Sequence, residues 1–244
     1  MRLLVVNPNT SASMTERIGA AAREAAAKDT VITAVNPSHG PASIEGYFDE
    51  AFAVPGMLEE IAKGESGGAQ AFVIACFDDT GLEAARCAAS GPVVGIGEAA
   101  FHLAALVAHR FSVVTTLSRS IAPIEGNLMK YGLDRRCARV RACEVPVLAL
   151  EDPASGAREK LSAEIERAKS EDAAEAIVLG CAGMADLAAS LAREHDLPVI
   201  DGVAAAVKLA EALVALGHAT SKRGPYARPL PKRFLGAFPS SGAA

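Results

Sequence analysis

Short apolar runs recur along this chain, each followed by an alanine-rich stretch whose apolar positions repeat with helical period. The runs predict strands at 2–6, 31–35, 71–75, 93–96, 112–115, 139–143, 176–179 and 199–200. Such continuous runs, rather than an alternation of apolar and polar positions, belong to a parallel sheet covered on both faces. Helices are predicted between them at 13–28, 54–63, 82–89, 100–108, 153–169, 185–194 and 203–216. Strand and helix alternate nearly throughout, which makes the fold class α/β with parallel strands.

The pattern is also duplicated. AFVIACFDDTGLEAAR, holding Cys76, reads like AIVLGCAGMADLAASLAR, holding Cys181. PVVGIGEAAFHLAAL from Pro92 and PVIDGVAAAVKLAEAL from Pro198 repeat at almost the same offset, and a weaker pairing joins 4–10 to 112–117. Three pieces in register predict two pseudo-symmetric lobes, each a parallel sheet flanked by helices, with the active site in the cleft between them. The expected division is a first lobe at 1–108 carrying Cys76, a second at 109–212 carrying Cys181, and a C-terminal segment at 213–244 packing back on the first lobe.

Composition narrows the partners. A chain of 244 residues with 50% hydrophobic content buries a sizeable core. A net charge of −5, with Lys222-Arg223 and Lys232-Arg233 as isolated basic pairs, argues against nucleic acid. The apolar stretch before Asn7 is too short for a signal peptide and no run approaches membrane-spanning length, so the expected location is the cytoplasm, away from membranes. Five cysteines, an odd number, do not suit a disulfide framework; with no CxxC pair and five scattered histidines, no metal site is expected either.

Cys76 and Cys181 stand apart from the other thiols because each closes an apolar strand and precedes turn residues. Cys87 falls inside a helical pattern and Cys143 at a strand end before Glu144, both better explained by packing, while Cys137 sits in a charged stretch. In open α/β sheets the strand carboxyl ends form the binding rim, and helices that follow aim their free N–H groups at it. Such a field is expected to favour thiolate: a downward shift of about one unit from about 8.5 makes roughly a quarter of a thiol ionised near neutral pH. Two thiols facing each other suit proton removal from one face of a carbon and delivery to the other. One serves as thiolate base and one as thiol acid, which predicts a bell-shaped pH dependence. The carbanion, held as an enolate, is expected to draw on backbone N–H groups and the hydroxyls of Thr115 and Thr116.

Five motifs, NPNTS at 7–11, SIEGYFDEA at 43–51, IACFDD at 74–79, VVTTL at 113–117 and VLGCAGM at 178–184, resemble those of the aspartate/glutamate/hydantoin racemase superfamily, and within it the hydantoin racemases. They span most of the chain. The resemblance implies a two-lobed α/β fold, cofactor-independent racemisation by two cysteines and a homo-oligomer. It carries the catalytic roles onto Cys76 and Cys181 and places Asn9, Phe77, Asp78, Thr115, Thr116, Ala182 and Gly183 around a small-molecule substrate, with Ser43 and Ile44 as further pocket residues. Amino-acid racemases of the superfamily usually have Asn-Thr after the first cysteine and Thr-His after the second. Here Phe77-Asp78 and Ala182-Gly183 stand there, which suits a neutral hydantoin ring better than an amino-acid carboxylate. Allantoin, a 5-ureidohydantoin, is the sibling substrate these motifs barely exclude.

Other motifs have plainer readings. NPNTSASMT is either an anion-binding turn or a helix cap after a strand. The carboxylates Glu45, Asp49 and Glu50 fit a solvated loop or helix start better than general bases. Gly95-Ile96-Gly97-Glu98-Ala99-Ala100 mimics a dinucleotide fingerprint, yet no suitable acid follows, so it reads as a close-packed strand-to-helix turn. Against the racemase stand a decarboxylase, an isomerase or an amino-acid racemase on the same scaffold and a two-lobed binding protein without chemistry. Retention of both thiols disfavours a one-thiol decarboxylase or isomerase, and with the missing export signal it disfavours a binding protein.

Overall fold

The computed structural model describes residues 1–233 and contains two four-stranded sheets, parallel throughout. The first is built from β1 (Arg2–Val6), β2 (Val31–Val35), β3 (Ala71–Ile74) and β4 (Val93–Gly95), in the order β2-β1-β3-β4. The second is built from β5 (Phe111–Thr115), β6 (Cys137–Ala142), β7 (Ala176–Leu179) and β8 (Val199–Ile200), in the order β6-β5-β7-β8. The two orders are the same, so β1 corresponds to β5 and β3 to β7. Both connections leave the central pair in opposite directions, which creates a crevice at the carboxyl ends of β1 and β3 and again at those of β5 and β7.

The helices are α1 (Ala12–Ala25), α2 (Tyr47–Ser66), α3 (Leu82–Ala88), α4 (Ile96–Val107), α5 (Ile121–Lys130), α6 (Ala157–Asp172), α7 (Ala188–His195) and α8 (Gly202–Ala215). Alternate strand residues face opposite layers. Leu4, Val6, Phe72 and Ile74 pack outward on Met57 and Ile61 of α2, while Val114, Ile177 and Leu179 pack outward on Leu161 and Ile165 of α6. Leu3, Val5, Ala71 and Val73 of one sheet and Phe111, Val113, Ala176 and Val178 of the other face inward into one shared core with Phe101, Val203 and Val207. Burial on both faces is why these strands read as continuous apolar runs.

The inner helices are exchanged. Helix α4 follows the first sheet but packs on β7 and β8, whereas α8 follows the second sheet but packs on β3 and β4; the two helices also pack on each other. After α8 the chain returns to α3, with Thr220 Oγ1 donating to the Gly91 carbonyl at 3.4 Å and Cys87 Sγ to the Pro225 carbonyl at 3.3 Å. Residues 234–244 of the expected C-terminal segment lie outside the described residues.

Some expected elements change. Helix α5 is additional to the elements expected from the sequence, where Pro123 and Gly126 interrupt the alanine-rich pattern; Pro123 falls in the first turn, where no N–H is required of it. Helix α2 begins at Tyr47, ahead of Pro55, instead of near it. No helix among the described residues is long and apolar enough to cross a membrane.

Candidate active site

The carboxyl ends of β1, β3, β5 and β7 converge on one cavity lined by Asn7, Asn9, Met14, Ile44, Ala75, Cys76, Phe77, Asp78, Thr115, Thr116, Ser120, Val147, Gly180, Cys181 and Ala182. The thiols reach it by equivalent routes. The Ala75 N–H donates to the Val6 carbonyl and the Gly180 N–H to the Val114 carbonyl, both at 2.8 Å, so the residue before each cysteine is tied to the end of the central strand. Position 180 demands glycine, since a Cβ there would lie 2.7 Å from Thr115 Cβ. Both cysteines are half-buried and free.

Of the residues that the sequence places around a substrate, Asn9, Ile44, Phe77, Asp78, Thr115, Thr116 and Ala182 line this cavity with the two thiols. Ser43 does not line it; the chain turns there and presents Ile44 instead. Gly183 does not line it either, but its N–H donates to the Cys181 sulfur. Asn7, Met14, Ser120, Val147 and Gly180 join the lining without having been singled out as site residues. NPNT carried a signal for Asn7; nothing local marked Ser120 or Val147, which reach the cavity through the packing of loops.

The motif at 7–11 is a cap. Ser11 Oγ accepts from the Met14 N–H at 3.3 Å, and Asn7 Nδ2 donates to Asn9 Oδ1 at 2.8 Å and to Thr15 Oγ1 at 3.0 Å. Asn9 Nδ2 faces only the Met14 sulfur, at 3.4 Å, which leaves donor capacity toward the cavity. Thr115 departs from expectation: its hydroxyl donates to the Gly180 carbonyl at 3.0 Å and is already used in holding the two strand ends together. The hydroxyls of Thr116 and Ser120 have no hydrogen-bond partner among the described residues.

The expected activation of the thiols by helix ends is not what this site does. Burial pushes Cys76 well above its ordinary value, and the Asp78 carboxylate adds to it; the Thr80 hydroxyl, donating to Sγ at 3.2 Å, opposes both. Burial likewise pushes Cys181 up to about 12, helped by Asp78 and opposed by the Gly183 N–H. The reason is geometric. Cys76 is separated from α3, a helix of seven residues, by the turn at 77–81, and Cys181 leads into a 3-10 segment of six residues, Ala182–Leu187. Neither offers the sustained dipole that desolvation has to be weighed against.

Carboxylates dominate the surroundings. Burial, Glu50 and Asp79 bring Asp78 up to about 7. Asp79, raised to about 7 by burial, accepts from the N–H groups of Gly97 at 3.0 Å and Glu98 at 2.8 Å and from the Tyr131 hydroxyl at 2.7 Å. It thereby caps α4 and ties the turn after Cys76 to the end of α5. A Cβ on Gly95 or Gly97 would collide with the Asp79 carboxylate, which explains the glycines of the GIGEAA turn. Among the described residues no three of His, Cys, Asp and Glu converge in a way that could hold a metal ion.

The cavity is narrow, about 30 Å³, room for water but not for a substituted five-membered ring. The loop from β6 to α6 closes it. That loop contributes Val147, rests Leu150 against Gly183, and is held to the first lobe by Ser13 Oγ donating to Glu151 Oε2 at 2.8 Å and by Glu45.

The chain is thus a two-lobed α/β protein in which each lobe brings a like-placed thiol to one cavity. Residues 3–210 match the Asp/Glu/Hydantoin racemase family, and the chain belongs to that family. It is 52% identical over 236 residues to a hydantoin racemase of Rhizobium meliloti, an alignment covering 97% of this chain and 98% of the relative. A hydantoin racemase of Pseudomonas sp. (strain NS671) is 50% identical over 243 residues, covering 99% and 97%. Among solved structures, an allantoin racemase from Klebsiella pneumoniae superposes with a TM-score of 0.96 at 54% identity, covering 98% of each chain.

Proposed function

We propose that this chain racemises 5-substituted hydantoins without a cofactor, Cys76 and Cys181 exchanging protons with ring carbon C5 from opposite sides. The observation that carries the reading is the pair of thiols from equivalent strand ends at one cavity, in a chain half identical to hydantoin racemases along nearly its whole length. The C5 proton of a hydantoin is acidified by the adjacent ring carbonyl, so a sulfur base needs little assistance. One thiolate takes that proton, the electron pair is held as an enolate, and the opposite thiol returns a proton to the other face. The enantiomer is turned over with the roles exchanged. With both thiols raised, the descending limb of the bell lies beyond neutral pH. Free donor capacity on Asn9, Thr116 and Ser120 suits the ring's polar atoms, and Met14, Ile44, Phe77 and Val147 suit an apolar 5-substituent.

The test is an enantiopure 5-alkylhydantoin in deuterium oxide, with no metal or pyridoxal phosphate added. Exchange of the C5 hydrogen and decay of optical rotation support the reading; unchanged turnover in both Cys76→Ser and Cys181→Ser removes the mechanism. Allantoin is the second reading, favoured by the likeness to the Klebsiella allantoin racemase. Relative rates on 5-benzylhydantoin, 5-isopropylhydantoin and allantoin decide between them.

The same proposal has the enzyme working in the cytoplasm as a homo-oligomer. Tyr47, Phe48 and Phe52 at the start of α2 are 65%, 72% and 59% exposed, an aromatic patch that suits burial against another subunit. Light scattering of the wild type and of Phe48→Glu checks the assembly.

A further inference from the structure

Besides the two thiols, the cavity has one ionisable lining residue, Asp78, and no lysine, arginine or histidine lines it. The Asp78 carboxyl has no hydrogen-bond partner among the described residues, in contrast to Asp79 next to it, whose oxygens take three donors. Its backbone is fixed: the Asp78 carbonyl accepts from Asn127 Nδ2 of α5 at 2.8 Å, and its N–H donates to the Cys76 sulfur. On α2, Glu50 buries Oε1 without a partner and repels Asp78. The charge of Asp78 is in turn felt by both Cys76 and Cys181.

A carboxylate there has nothing to hold it. It opposes the thiolate that starts the reaction and the enolate that follows, and exclusion of water strengthens that opposition. A carboxylic acid in the same place is an O–H donor at the cavity wall, free to meet a developing oxyanion, a role that an apolar site supports by keeping the acid neutral.

We propose that Asp78 enters the reaction as the neutral acid, its O–H donating a hydrogen bond to the ring carbonyl oxygen that gains charge when C5 loses its proton. This role rests on the racemase reading above. One thiolate takes the C5 hydrogen as a proton; the C–H electron pair becomes the C5–C4 π bond while the carbonyl π pair moves onto oxygen. Asp78 shares its proton with that oxygen and keeps it. The opposite thiol then gives its proton to C5, the π pairs return, and that sulfur is left as thiolate. One proton is taken and one returned.

The groups facing Asp78 are Cys76 and Asp79 from its own turn, Glu50 from α2 and Cys181 from the second lobe, with Glu45 acting on Cys181. None is basic. The active form holds one thiolate, one thiol and a neutral Asp78. Turnover therefore rises about tenfold per pH unit up to about 7 and levels off above it, because each further gain in thiolate is matched by loss of the Asp78 proton.

Asp78→Asn donates without ionising, and Asp78→Leu does neither. Both are compared with the wild type on an enantiopure 5-alkylhydantoin from about pH 6 to about pH 9, alongside iodoacetamide alkylation of each thiol followed by mass spectrometry. We expect the Leu variant to lose about 10²–10³-fold in kcat and the Asn variant to recover most of that loss. The Asn profile should keep rising through pH 7, and both thiols should alkylate at lower pH than in the wild type. An Asn variant as inactive as Leu, or a Leu variant with wild-type kcat, overturns the role; so does unshifted alkylation in the Asn variant, which is informative even where Leu fails to fold. Alkylation needs no substrate, which separates the two failures. A wild type that racemises no hydantoin while the alkylation shift appears sinks the reaction assignment and the donor role with it. Racemisation that stands without shift or rescue sinks the role of Asp78 alone.

Discussion

Glu45 and Val147 join the two lobes at the rim of the cavity: Glu45 Oε1 accepts a hydrogen bond from the Val147 N–H at 2.9 Å. The bond holds the β6–α6 loop shut over a space too small for substrate. Glu45→Ala removes a bond that entry of substrate would otherwise have to break, so ground state and transition state gain affinity alike. We predict a KM about tenfold lower with kcat changed less, measured by initial rates of racemisation.

The Thr115 hydroxyl is spent on the Gly180 carbonyl. Thr115→Val leaves that buried acceptor unpaired and should cost about 1–3 kcal/mol in chemical denaturation. The kcat of folded Thr115→Val should stay within about tenfold of wild type, whereas loss of a donor that meets the enolate directly costs about 10²–10³-fold.

Gly180→Ala forces a Cβ to within 2.7 Å of Thr115, so strand end and sulfur must shift together. A displacement of about 1 Å is enough to lower kcat about 10²-fold. Single-turnover measurements with each enantiomer check this.

Cys181, raised to about 12, should react with iodoacetamide near neutral pH at least about a hundredfold more slowly than a free thiol with pKa about 8.5. Alkylation as fast as that of free cysteine would contradict the desolvation that sets its acidity.

Asp79 makes stability depend on pH with a definite sign. Its folded value near 7 lies above the ordinary 3.8, so between those limits the folded protein keeps a proton that the unfolded chain has lost. Stability then falls as pH rises from about 4 to about 7 and flattens above. Tyr131→Phe removes one donor to the carboxylate and should destabilise by about 1–3 kcal/mol, more above pH 7 than below it; denaturant titrations at three pH values test this.

The frame was legible because strands buried on both faces must be apolar at every position: Phe72, Val73 and Ile74 leave no room for polar residues whichever face they meet. The thiols were legible for a related reason, since Cys76 and Cys181 end such strands in duplicated surroundings. Helix α5 was not, its amphipathic signal being broken by Pro123 and Gly126. Val147 and Ser120 reach the cavity from loops whose course is decided by tertiary contacts, Glu45 among them, and no local pattern announces those. The acidity of the thiols is not legible in the same way: strand-end position suggests a helix dipole, and although Asp78 stands two residues from Cys76, the burial that raises both thiols comes from elements distant in sequence.

The exchange of α4 and α8 reaches back into the history of the chain. A half containing only β1 to α4 would leave the inner face of β3 and β4 bare, beside the part that α1 covers, and offer its last helix to another molecule. If the two halves descend from one duplicated piece, that piece was stable only as a pair of copies trading helices, a domain-swapped ancestor whose fusion into one polypeptide made the partnership permanent. It also follows that severing the chain near residue 108 should yield fragments that fold only when mixed.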